Sequence, residues 1–440
     1  MTQLNTPYPA TAYLTGFLRQ HEARLGLEVV QADAAIELFL HLFSRAGLAR
    51  VKAVLVGKRG KKVHPAVASF TAQADRYITT VESVVRFLQG RDPGFALRIV
   101  GRDLLPEGPR FAVIDDGPGA GDDDPLAWAF GGLGTADRAK HLASLYIDDL
   151  ADVIREGIDP EFELARYGER LAASAPSFDP LCSALEGEPS LVDTLLDELT
   201  AELVARHRPE VIGLTAPFPG NLYGALRIAR QAKAIAPSTR VILGGGYVNT
   251  ELRDLSEPRL FDYVDYVTLD DGEAPMQALL AHLRDPSAPL LRTFVRRQGA
   301  VVLETDPSLH EVPQRDAGTP TYAGLPLDRY LSLFEMLNPM HRLWSDGRWN
   351  KLTVAHGCYW KQCAFCDVNL DYIARYDRSP ADLLVDRIEA LIAETGQTGF
   401  HFVDEAAPPA GLKVLDQRER DGWCVVWATT PEQIEPTQGS

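Results

Sequence analysis

Three cysteines, Cys358, Cys363 and Cys366, fall within nine residues, in the run from His356 to Asp367 that reads HGCYWKQCAFCD. Three thiolates on one loop hold three corners of a cuboidal iron–sulfur cluster. They leave the fourth iron open to a small molecule, as a purely electron-carrying site with four cysteines does not. The same residues also admit a structural zinc site with His356 as fourth ligand, or three unligated thiols that happen to be close. Zinc sites usually bring two separated cysteine pairs, so the lone triplet favours the cluster. The other two cysteines, Cys182 and Cys424, are isolated, and five in 440 residues is too few and too odd a number for a secreted disulfide framework.

The elements that would position this loop read as a βα pattern. A strand at Leu352 to His356 runs directly into the cysteines, a helix follows at Pro380 to Thr395, and a second strand at Phe400 to Val403 ends in Asp404 and Glu405. Upstream, strands at Val211 to Thr215, Arg240 to Gly244 and Tyr263 to Leu269 alternate with amphipathic helices at Leu222 to Ala234 and Ala274 to Leu283. That alternation predicts a parallel sheet with both faces covered. Each strand ends in a loop of small residues: Thr215-Ala216-Pro217, Gly244-Gly245-Gly246, and Gly272-Glu273 after two aspartates. Ligands of open α/β sheets bind at such carboxyl ends, where glycine lets the backbone come close. Gly245 reads as a loop glycine whose replacement by valine would block a ligand and spare the fold.

Leu290 to Val295 and Ala300 to Glu304 form an expected hairpin, and Val312 to Trp349, with four prolines and little periodicity, an ordered linker. At the other end, a helix is expected at Tyr13 to Leu25 and a short strand at Leu27 to Ala32. Helical periods follow at Ala34 to Ala46, Tyr77 to Leu88, Arg138 to Glu156 and Leu191 to Arg206, broken by a Gly/Asp-rich loop at Asp115 to Asp124. Residues 1 to 6 are too polar and too short for the buried opening strand that a doubly wound sheet places centrally, so that strand is expected to be missing.

At 440 residues the length prior is two or three domains, and 45% apolar with 24% charged residues is ordinary for a folded globular chain. A net charge of −17 opposes binding to a nucleic-acid backbone, and the one dense basic run, Lys58 to Lys62, is short. No signal peptide or window of eighteen apolar residues occurs. The expectation is a cytoplasmic protein with neither a nucleic-acid nor a membrane partner.

The run from His356 to Asp367 resembles the cluster loop of radical S-adenosylmethionine (SAM) enzymes, with C-x4-C-x2-C in place of the usual C-x3-C-x2-C. The resemblance implies a [4Fe-4S] cluster on Cys358, Cys363 and Cys366, Phe365 against the adenine of SAM, and Asp404 and Glu405 near the methionyl ammonium. The sheet upstream resembles the cobalamin-binding module found ahead of many radical SAM domains. That likeness implies cobalamin over Thr215, Ala216, Gly244, Gly245, Gly246, Gly272 and Glu273. No D-x-H-x-x-G loop is present to supply a histidine to cobalt.

The implied architecture is α/β: a doubly wound, flavodoxin-like cobalamin-binding domain over residues 1–285 with a helical insertion at about 47–205, a hairpin and linker at 286–350, and the start of a radical SAM (β/α) partial barrel at 351–440. Only 74 residues follow Cys366, whereas a six-unit partial barrel needs on the order of 150 more, so this barrel is expected to be incomplete. The implied activity is reductive cleavage of SAM to drive a methyl transfer or rearrangement on a small-molecule or peptide substrate, with electrons from a donor such as flavodoxin or ferredoxin. The alternative is a non-catalytic cobalamin-binding or regulatory protein.

Overall fold

A computed structural model of the chain describes residues 4–57, 63–115, 134–164, 177–333, 350–362 and 369–404. It opens with helices: α1 (Pro9–Arg19), α2 (Ala34–Leu42), α3 (Arg45–Gly57), α4 (Pro65–Leu88), α5 (Thr135–Gly157), α6 (Asp179–Glu186) and α7 (Leu191–His207). Proline at the first turn starts α1 and α4, where its missing N–H costs nothing. A reciprocal capping box of Ser190 and Asp193 starts α7.

Then β1 (Val211–Thr215), α8 (Pro219–Ile235), β2 (Arg240–Gly244), α9 (Gly246–Glu251), β3 (Tyr266–Thr268) and α10 (Glu273–Arg284) alternate. The antiparallel hairpin β4 (Thr293–Arg297) and β5 (Ala300–Glu304) turns through Gln298 and Gly299, both at positive φ, the geometry a two-residue hairpin requires.

The strands form one sheet in chain order, β1-β2-β3-β4-β5, parallel as far as β3 and antiparallel after it. Two expectations change here. The hairpin is not separate from the parallel sheet but extends it, through Val267 against Phe294. The strand expected at Leu27 to Ala32 does not form; at its centre the Val29 backbone is taken by side chains, Glu22 accepting from Val29 N and Arg19 donating to Val29 O. Among the described residues no strand precedes Val211, so β1 lies at the sheet edge with β2 as its one neighbour.

Period-two alternation divides the sheet. Val241, Leu243, Val267 and Phe294 face α8 and the helical layer, and one apolar cluster continues from them to Phe39, Tyr77 and Tyr146. Ile242 and Val295 face Leu279 of α10 on the other side. The long helical segment therefore shares its core with the sheet.

Beyond the linker, β6 (Asn350–Leu352) and β7 (Ala355–His356) replace the single strand expected there. After them come β8 (Asp377–Arg378), α11 (Ala381–Thr395) and β9 (Phe400–Phe402). β6 pairs with β9 in parallel, with Leu352, Phe400 and Phe402 packed on Leu384, Ile388 and Leu391 of α11, while β7 pairs with β8 antiparallel. The strand divides where Asp404 draws the N–H groups of Val354 and Ala355 to its carboxylate. One βαβ unit and a two-stranded ladder are thus the described part of the expected barrel.

Candidate functional site

The loops after β1, β2 and β3 lie side by side at the carboxyl end of the sheet. Ala216 donates its N–H to Gly244 O at 2.8 Å, and Tyr247 N–H returns to Ala216 O at 3.0 Å, so the first two loops are laced together. Gly245 has φ +108°, and a Cβ there would stand 2.6 Å from Thr215 Oγ1 and 2.8 Å from the Ala216 backbone. This corrects the reading of Gly245 as a freely replaceable loop residue. Its missing side chain serves the fold itself, because β1 and β2 could not end so close together otherwise. A Cβ on Gly246 would meet Pro217 O, and one on Gly272 would meet Leu14 of α1.

Thr215 Oγ1 is buried and has no hydrogen-bond partner, a costly state for a hydroxyl that a bound polar group would relieve. Thr215 and Gly244 to Gly246 are only partly buried, so that turn is reachable from outside. Beside it Phe218 is 53% exposed, with the ring of Tyr8 edge-on at 6.3 Å. An orphaned hydroxyl, a laced backbone turn and an exposed aromatic face fit a large, flat ligand with polar side arms. Sequence reasoning missed Phe218, whose only signal was aromatic character next to a strand-end loop, and Tyr8, which precedes α1 and carried no such signal.

The third loop is more polar. Asp270, at φ +65°, is held by Asn249, whose side chain accepts from Asp270 N at 2.7 Å, and by Arg253 and Arg292. Glu273 is pushed up to about 7, first by burial and then by the neighbouring Asp271 charge. Burial also raises Asp271, but its bond to His356 and the charges of His356, Arg375 and Arg292 outweigh that and hold its carboxyl below the usual range.

His356 connects this loop to the cysteines. Its Nδ1 is 3.2 Å from Asp271 Oδ1, and its Nε2 is 2.8 Å from Tyr372 O. A carbonyl and an ionised carboxylate only accept, so this pair of contacts favours the imidazole with a proton on each ring nitrogen. Burial opposes that charge, but the bond to Asp271 overrides it and raises the pKa. Both ring nitrogens of His356 are thus engaged by Asp271 and by the Tyr372 carbonyl rather than turned to Cys358.

Cys358, a partly buried thiol two residues on, forms no disulfide among the described residues. Cys363, Phe365, Cys366 and Glu405 lie outside the described residues. Asp404 accepts from Val354 N and Ala355 N at 2.7 to 3.1 Å, so this carboxylate shapes the strand before the cysteines. On the opposite face of β6 from α11, Lys351 Nζ lies 2.8 Å from His401 Nδ1 across the β6–β9 pair. Burial lowers this lysine to about 8. No sequence motif announced the pair.

No helix among the described residues is long and apolar enough to cross a membrane. No curated protein matches the chain. Residues 190–280, which run from the cap of α7 through β1, β2 and β3 into α10, match the family model described as the B12 binding domain, and this match supports cobalamin binding by that segment.

Proposed function

We propose that this chain is a radical SAM enzyme whose B12-binding domain holds cobalamin over the ends of β1, β2 and β3. The observation that carries the reading is the 3.2 Å contact between Asp271 and His356. It sets a loop of the B12-binding segment against the residue two positions before Cys358. Cys358, Cys363 and Cys366 would hold the [4Fe-4S] cluster, and Phe365 and Glu405 would meet SAM. When bound, the cluster supplies the electron that cleaves SAM, and cobalamin supplies a carrier for a methyl group.

The chain's own groups do the rest. Thr215 Oγ1 offers a hydroxyl without a competing partner. Glu273, whose carboxyl burial pushes up to about 7, would meet the cofactor's amide side arms as donor or acceptor. Asp404 fixes the bend between β6 and β7 that sends the chain into the cysteine loop, and its remaining acceptor capacity would serve the methionyl ammonium of SAM. The substrate is a small molecule or peptide, and the electron comes from an external donor.

Anaerobic reconstitution of the full chain with iron and sulfide, followed by SAM, dithionite and cobalamin, tests this. Formation of 5′-deoxyadenosine that is lost in Cys358→Ala supports the enzyme. The second reading, a non-catalytic cobalamin-binding or regulatory protein, is favoured by the family match ending at residue 280, before the cysteine loop. Cobalamin retention without SAM cleavage would select it.

A further inference from the structure

A continuous set of ion pairs runs from the turn after β2 to the cysteine loop. It starts at Asn249 of α9, whose side-chain amide bonds both the N–H and the C=O of Asp270. Asp270 takes Arg253 at 2.6 Å and Arg292 at 3.0 Å, Arg292 also binds Glu311, and Glu311 lies 3.4 Å from Arg375. Arg375 closes the set on Asp271, whose other oxygen faces His356. Both side chains of the last pair are largely sheltered, at 10% and 19% exposure, where charged hydrogen bonds are stronger than in water.

The receiving end is stiff. Gly357, at φ +67°, presses its Cα on the carbonyl of Arg375 so closely that a Cβ would collide with it. His356 Nε2 donates to Tyr372 O, and Cys358 N–H points at Ile373 O. The segment from Tyr372 to Arg375 therefore moves with His356, Gly357 and Cys358. The sending end is the residue immediately before Gly272 and Glu273.

We propose that Asp271 is a positioning residue that transmits occupancy of the strand-end loops to the cysteine loop, by gripping His356 with one carboxylate oxygen and Arg375 with the other. A ligand that orders the loop after β3 then also orders Cys358. This rests on the reading of the strand ends as the cobalamin site.

The test uses the full chain, iron-free and anaerobic, with methylcobalamin in the dark as probe and the iodoacetamide reaction of each cysteine followed by peptide mass spectrometry. Saturating methylcobalamin is expected to slow alkylation of Cys358 by about threefold or more in the parent and to leave Cys182 on α6 unchanged, since protection tracks local opening. Asp271→Asn is expected to bind methylcobalamin within about threefold of the parent, with an unchanged melting midpoint, and to lose the protection of Cys358. Arg375→Gln, which lies outside the strand-end loops, should do the same, and it decides the matter if Asp271→Asn folds poorly. Binding without any change at Cys358 in the parent, or full protection in Arg375→Gln, overturns the coupling alone. Absence of methylcobalamin binding by the parent overturns the cobalamin reading together with it.

Discussion

The hydroxyl of Tyr13, on α1, accepts the backbone N–H of Thr353 at 2.6 Å. Two residues earlier along the strand, Tyr322 does the same for Lys351 N at 2.8 Å. Two tyrosines thus close the edge of β6 that β9 does not pair, satisfying donors that would otherwise be buried alone. Burial pushes the Tyr13 phenol up to about 12, so it stays protonated at neutral pH.

Tyr13→Phe removes the acceptor and keeps the ring. The variant should lose about 1–3 kcal/mol of stability, the penalty of an unpaired buried N–H. Urea unfolding monitored by fluorescence measures it, and a loss indistinguishable from zero would mean that water replaces the hydroxyl.

Thr215→Val is nearly isosteric and deletes a hydroxyl that has no partner. Stability without cofactor should be unchanged or higher, whereas cobalamin affinity should fall about fivefold or more, the loss of roughly one hydrogen bond. Absorbance titration reads the affinity. Unaltered cobalamin binding would place the cofactor away from this strand end.

Asp149 of α5 accepts the N–H groups of Gly108 and Arg110 at 2.8 and 2.9 Å, yet burial pushes its carboxyl up to about 6. Between its unfolded value near 3.8 and 6 the folded state binds more protons than the unfolded one, so this group's contribution to stability falls as pH rises through that window. Asp149→Asn cannot titrate. The stability of the parent relative to the variant should therefore decline from pH 4 to pH 6 and level off above, as read by denaturant midpoints across that range.

Lys351 shows the opposite sign. Its folded value near 8 lies below the usual lysine value of 10.5, so between those pH values the unfolded chain holds more protons and stability rises with pH. Relative to Lys351→Met, the parent should gain up to about 3 kcal/mol from pH 8 to 10.5. A flat difference would show that the ammonium is solvated in the folded chain.

Much of the architecture was legible from local pattern. Strands β1 and β2 were readable to the residue because parallel strands are short apolar runs bounded by turn residues. The cysteine triplet and the strand-end glycines were equally visible, since spacing and residue type carry that signal alone. The tertiary structure decided what those residues do to one another. Leu27 to Ala32 has strand composition but no strand, and Arg19 and Glu22 take the backbone groups of Val29 at its centre. Gly245 looked open to a ligand and instead makes room for Thr215 and Ala216. Asp404, a strand-end acid by pattern, turned inward to two backbone N–H groups. Asp271 and His356 stand 85 positions apart, and no periodicity links them. Their contact exists because folding brings the end of β3 against β7, and only that juxtaposition sets this aspartate of the B12-binding segment beside the residue two positions before Cys358.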